Sequence, residues 1–396
     1  MRRSFPRSRL IGGRWRACAF RELYVEWHPC FRTTVAAALL LFCPLFWLSA
    51  GSVTGQTTAP GAAPTQPQAI PSSKGAKPGP GVSSPRDLAL EKAESLIQKG
   101  LLSDAETTVR EDLKTNPSFG AAHFLLGFIL FRQIQVEAER TDPNPNAVYA
   151  APSKSLVELR ETNAKESLAE YTAGARYQRP SAFDLKIVAL DYVLLGDFID
   201  ADKWLTTSLQ WNPGDSDGWY QLGRTKYNEN RFTEAIDAFK KCLAGDPRNV
   251  KAEENLGLSY AGLGDDPKAI NAYQTAIAWQ AGSARKDPEA YLSLGMLLLD
   301  QNRPKDAIPT LIQATQIAPS ASQGHESLGK AYIQVNDLPK AQAELEDAVK
   351  LSPNTARLHY ILGQVYRKEG LAAKAKAEFD RCAALQGTRS SDGSTM

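Results

Sequence analysis

The chain has 396 residues, 43% hydrophobic and 23% charged, with a formal net charge of +2. Residues 1–33 hold eight Arg against Glu22 and Glu26, a local +6, so the rest of the chain carries −4. A mildly acidic body argues against nucleic acid as the main partner.

The basic leader runs into an apolar stretch from Val35 to Ala50, and residues 34–73 hold no charged residue at all. A basic flank, a short apolar run and then small residues form the layout of a secretory signal. The run is shorter than the ~20 residues of a membrane span, and Pro44 weakens a straight helix. Two fates stay open for residues 1–55: cleavage as a signal peptide after Ala50 or Gly55, or retention as an N-terminal anchor. Both place the protein outside the cytoplasm, periplasmic or tethered to an inner membrane. Residues 56–85 are rich in Pro, Gly and Ala. They cannot bury enough surface to offset chain entropy and read as a disordered linker.

Beyond the linker, small residues recur on a fixed spacing. Gly223, Gly257, Gly295, Gly329 and Gly363 are 34, 38, 34 and 34 residues apart. Ala201, Ala235, Ala269, Ala307, Ala341 and Ala375 keep the same period. A period of ~34 residues marks stacked helical hairpins. With each unit numbered from 1 to 34, Ser216–Asn249 has Trp219 at position 4, Leu222 at 7, Gly223 at 8, Ala235 at 20, Phe239 at 24 and Pro247 at 32. Small residues at 8 and 20 let two helices approach closely, and Pro at 32 stops the second helix.

This set of positions resembles the tetratricopeptide repeat, with Lys226 where the family has Tyr. The resemblance implies an all-α, right-handed superhelical solenoid of about eight helix-turn-helix hairpins. The units are 86–119, 120–181, 182–215, 216–249, 250–287, 288–321, 322–355 and 356–389, followed by a polar tail, 390–396. The second unit carries about 28 extra residues, which include the turn-rich Asp142–Asn146 and Ala151-Pro152. Beyond them Leu156, Leu159, Ala164, Leu168, Tyr171 and Ala175 predict a lengthened second helix. The fifth unit lacks its Pro and has four extra residues around Ala281–Asp287, a joint expected to bend the array. Cys242 and Cys382 lie four repeats apart and are expected to be free and buried.

Similarity to the family implies a concave groove lined by the first helix of each unit. The positions that face it would be Leu90, Phe124, Phe128, Phe131, Lys186, Leu190 and Val193 in the early units, and Tyr220, Arg224 and Tyr227 in the fourth. Lys330, Arg357, Tyr360, Gln364 and Arg367 follow in the last two. The groove would be apolar at its N-terminal half and more basic at its C-terminal end, a surface suited to a peptide or the apolar face of a helix. The competing reading makes Phe124, Phe128 and Phe131 ordinary core under the insertion. The carboxylate clamp of some family members is not expected. Lys186 and Lys251 fit it, with Gln221 and Asn255 between them, but Leu190 stands where Asn is needed.

Catalytic motifs are missing. His123, His325 and His359 share position 4 and read as helix-packing residues, and Gly329 stands where the second His of H-E-x-x-H would fall. No cofactor or metal site is expected. The leading reading is a non-catalytic scaffold or adaptor for protein or peptide partners, acting outside the cytoplasm. The alternatives are a targeting or regulatory subunit of a membrane-associated enzyme, secretion or envelope-assembly complex, and, with least support, an enzyme. The membrane would be met only through the N-terminal segment, and the last repeat, with no polar capping helix after it, would meet a partner or a second copy.

Overall fold

The structure, a computed structural model, describes residues 85–141, 153–283 and 286–392. The leader, the apolar run, all of the linker but its last residue, and the turn-rich part of the insertion lie outside the described residues. Among the described residues the chain forms sixteen helices and no strand. They are α1 (Pro85–Gln98), α2 (Leu102–Thr115), α3 (Gly120–Thr141), α4 (Lys154–Gly174), α5 (Ala182–Leu195), α6 (Phe198–Trp211), α7 (Ser216–Asn228) and α8 (Phe232–Gly245). There follow α9 (Val250–Leu263), α10 (Asp266–Trp279), α11 (Glu289–Asp300), α12 (Pro304–Ile317), α13 (Ser322–Gln334), α14 (Leu338–Leu351), α15 (Ala356–Lys368) and α16 (Ala372–Asp392).

Consecutive helices pair as eight hairpins, and each hairpin packs on the next. Odd-numbered helices also approach the odd-numbered helix of the next unit, as α1 does α3, α7 does α9 and α11 does α13. Even-numbered helices approach no other even-numbered helix to that degree. The odd helices are therefore crowded on the inside of the curve, and they form the concave face. Core is laid down joint by joint, so stability is close to a sum of nearest-neighbour terms.

The glycine period has a direct steric cause. A Cβ on Gly223 would sit 2.6 Å from the ring of Phe239, on Gly257 2.6 Å from Tyr273, and on Gly363 2.8 Å from Phe379. Each partner occupies position 24 of the facing helix. In the first and third units position 24 is Val109 or Leu205 and position 8 is Ala93 or Ala189, while in the sixth and seventh Gly295 and Gly329 face Leu311 and Leu345. Position 15 is the second fixed point. Gly100, Gly196, Gly264 and Gly370 have φ of 77° to 80°, and Asn230, Asn302 and Asn336 have φ of 58° to 61°. Gly and Asn are the residues that tolerate this left-handed turn, which ends the first helix of every hairpin but the second.

The insertion lengthens both helices of the second hairpin, not only the second. α3 has 22 residues and α4 has 21, where the other hairpins through α15 have 12 to 14 per helix. The helical spacing of Ile134 and Ala138, which pack with Leu156 on α4, carried this signal on the first helix as well. Ser167 takes the alanine position of this unit. Its hydroxyl lies 3.0 Å from Gly127 O and 2.6 Å from Asp191 Oδ2 on α5. The one hydroxyl proton is shared between these two acceptors, the second of them the buried Asp191 carboxyl. Burial pushes the Asp191 carboxyl well above its ordinary range, against the lowering effect of Ser167.

At the fifth joint α10 still packs on α11. The backbone N–H of Asp287 donates to the buried Gln280 side chain, and Lys251 reaches Asp287 at 2.6 Å. α16 continues to Asp392, so the first residues of the expected polar tail are helical. Cys242 and Cys382 are free and buried.

Candidate functional site

The concave face is built from positions 2, 5, 9 and 12 of the odd helices. Position 5 is closed in the interior: Phe124, Lys186, Tyr220, Glu254, Leu292 and Glu326 are all buried. Each is covered where the next odd helix crosses it. Position 9 stays half-open at Phe128, Leu258, Met296, Lys330 and Gln364, and closes at Leu190 and Arg224.

The structure divides the fifteen residues named from the sequence. Phe124, Phe131, Lys186, Leu190, Tyr220 and Arg224 are buried, and Val193 with them. Leu90, Phe128, Tyr227, Lys330, Arg357 and Gln364 are half-buried, and Tyr360 and Arg367 are exposed. Phe124 and Phe131 belong to the packing between α3, α4 and α5. The Phe124 ring stacks on Tyr171 at 5.8 Å, and a Cβ on Gly174 would strike it at 2.6 Å. The N-terminal apolar stripe thus shrinks to Leu90 and Phe128. Beside Phe128 the structure adds Phe183 on α5, 37% exposed, with its ring edge-on to that of Phe128 at 5.5 Å. Phe183 stands at position 2, one of the groove-facing positions, so its number in the repeat was the signal.

The charged groups of this face largely satisfy one another. Lys186 Nζ lies 2.8 Å from Asp215 and 3.0 Å from Asp217. Burial pulls its ammonium pKa down, but the two carboxylates more than offset this and leave it raised. Lys251 is held by Asp287, so both lysines that fitted a carboxylate clamp are already neutralised. Arg224 lies over the Tyr220 ring at 5.6 Å. Toward the C-terminal end Lys330 and Arg357 both converge on the buried Glu326, two cations on one carboxylate. Arg367 alone of those cations is exposed, near the Phe379 ring at 5.8 Å. Among the described residues no group of three His, Cys, Asp or Glu could hold a metal ion.

Three stretches match models described as tetratricopeptide repeat: residues 220–285, 298–365 and 356–388. The chain belongs to the tetratricopeptide repeat proteins, and its architecture is that of a protein-interaction scaffold. It is similar to a peroxisomal targeting signal receptor of Kluyveromyces lactis, 38% identical over 72 residues that make 18% of this chain and 13% of that protein. It is also similar to a tetratricopeptide repeat-containing protein of Caenorhabditis elegans, 24% identical over 184 residues, 46% of this chain and 19% of the relative. The matched stretch thus spans less than a fifth of the length of either relative. Among solved structures, a tetratricopeptide repeat protein from Parabacteroides merdae is 17% identical, covering 71% of this chain and 98% of its own, with a TM-score of 0.49.

Proposed function

We propose that the protein is a non-catalytic adaptor that takes an apolar segment of a peptide or helix on its concave face. The observation that carries this is the Phe128–Phe183 pair: two aromatic rings from neighbouring inner helices, in edge contact, one half-buried and one exposed, on a face whose charges are largely paired. Such a surface suits an apolar anchor and offers little to a free carboxylate. Leu258 and Met296 continue it toward the middle of the array.

The test is Phe128→Glu and Phe183→Glu in the full chain, with crosslinking in native cells followed by mass spectrometry. Loss of one defined partner with unchanged helical signal supports the reading. Unchanged capture sinks it, and loss of helical signal makes the pair core. The sequence of residues 1–55 supports action outside the cytoplasm, in the periplasm or tethered to an inner membrane. The mass and protease accessibility of the mature chain test that. Among the described residues no helix is long and apolar enough to cross a membrane.

A second reading rests on the last hairpin, where Tyr360 is 49% exposed at a position buried in every unit from the second to the seventh. This end would dock a partner, a subunit of a larger complex or a second copy. Sedimentation of wild type against Tyr360→Glu at tens of micromolar separates self-association from the rest.

A further inference from the structure

Position 4, the fourth residue of the first helix, makes one recurring bond. Trp219 Nε1 donates to Pro213 O at 2.9 Å. His123, His325 and His359 place Nε2 3.0, 3.1 and 2.9 Å from the carbonyl oxygens of Pro117, Pro319 and Pro353. Each proline closes the preceding hairpin, so this bond ties one unit to the next. The histidines make a second contact that Trp219 cannot. Nδ1 lies 2.6, 2.7 and 2.6 Å from Oε2 of Glu170, Glu344 and Glu378, all on the second helix of the same hairpin.

Proton accounting fixes the state of these bridges. A carbonyl oxygen only accepts, so Nε2 carries a proton. An ionised carboxylate also only accepts, so either Nδ1 carries a second proton or the carboxyl itself is protonated. Each bridge therefore holds one proton more than a neutral imidazole and a carboxylate own between them. Without it, a lone pair on Nδ1 faces a carboxylate oxygen at hydrogen-bond distance and the contact turns repulsive.

We infer that His325 is a proton-operated fastener of the array: the joint between the sixth and seventh hairpins is held by a protonated bridge and loosens when that bridge loses its proton, while the joint held by Trp219 does not respond. Around His325 the facing groups are Glu344 and Asp347 on α14 and the Pro319 carbonyl after α12, with Asp347 itself drawn to Lys350 at 2.8 Å. The neighbouring Glu326 is engaged by Lys330 and Arg357. His123 faces Glu170 and the stacked ring of Tyr177 at 6.4 Å. His359 faces Glu378, with Arg381 further along α16 bonded to Asn354 next to Pro353. The hydrogen bond to Glu344 raises His325 above its ordinary value and outweighs the lowering by burial. A histidine raised in the fold adds stability that is whole below the unfolded value of ~6.5 and is lost as pH climbs through the folded one.

The test compares the full chain at about pH 6 and about pH 8.5, on either side of the ordinary imidazole value, by thermal unfolding and by hydrogen exchange corrected for the intrinsic rate. The wild-type midpoint should fall by about 2–4 °C at the higher pH. Protection should drop in α13 and hold in α7. The Glu344→Gln/Glu378→Gln variant keeps both hydrogen bonds with neutral imidazoles, since the Gln amide donates to Nδ1. It should flatten the response of α13 and return the His325 ring titration toward the ordinary value. His325→Trp/His359→Trp should flatten it too, and if that variant fails to fold, the Gln variant decides alone. Equal pH response in α7 and α13, or a wild-type slope in the Gln variant, overturns the inference.

Discussion

Tyr220 and Tyr360 are the same residue at the same repeat position with the same neighbour. Tyr220 meets Phe239 at 6.0 Å and a tilt of 54°, and Tyr360 meets Phe379 at 5.9 Å and 55°. Yet Tyr220 is 2% exposed and Tyr360 is 49%. The difference is what lies beyond. Ala252 and Leu256 of α9 close over Tyr220, while no helix follows α16 among the described residues. Burial in this array is therefore a property of the joint rather than of the residue, as expected where each unit packs only on its neighbours.

The largest expected effects break this comparison at the aromatic of position 24. Phe239→Ala empties a fully buried site between the fourth hairpin and the fifth and should cost about 3–5 kcal/mol. Phe379→Ala, at a half-buried site, should cost clearly less; equal losses in urea unfolding would show that the last hairpin is as tightly packed as the fourth. Next in size is the glycine facing that ring. Gly223→Ala drives a Cβ into a ring with no room to move and should cost about 1–3 kcal/mol. In Gly363→Ala the Phe379 ring can swing outward, so the change should be smaller, and a crystal structure should show the ring displaced.

The hairpin count, the small residues at 8 and 20 and the closing prolines were legible because each answers a local steric demand that repeats in phase. The exposure of the groove residues was not. Whether Phe124 or Leu190 is open depends on how closely α3, α4 and α5 converge, which one unit's pattern does not encode. The histidines were placed correctly as packing residues by their position. Their two bonds were hidden because the partners, a Glu 19 residues on in the last two units and 47 on across the insertion, become neighbours only when the hairpin closes. The Gly or Asn at position 15 is a sequence signal for the turn in every unit but the second.

Smaller effects come from two carboxylates in contrasting settings. Asp191 is raised by burial, so it costs the fold stability that grows as pH rises above the unfolded carboxyl value. Asp191→Asn can donate to Ser167 in its place. The variant should be modestly more stable than wild type at neutral pH, with the gain fading toward acid; a loss at neutral pH would mean that Asp191 is ionised.

Glu234 lies at the other extreme and supplies the smallest effect. Arg231 grips it and also reaches Asp202 on α6 at 2.7 Å, which holds the Glu234 carboxyl down at about 2. Arg231 stands at position 16, whose counterpart in the last hairpin is the exposed Leu371. A depressed carboxyl contributes stability above its unfolded value that disappears as pH falls through the folded one. Half of the Glu234 side chain is in solvent, so screening limits the pair to roughly 1 kcal/mol or less. Arg231→Leu, which copies the end of the array into its middle, should therefore shift the neutral-pH midpoint only slightly. It should also remove part of the acid sensitivity between about pH 4 and pH 2, where wild-type Glu234 takes up its proton. A large loss at neutral pH would instead show that the charged turn between α7 and α8, and not the apolar joint beneath it, is what sets this unit apart from the last.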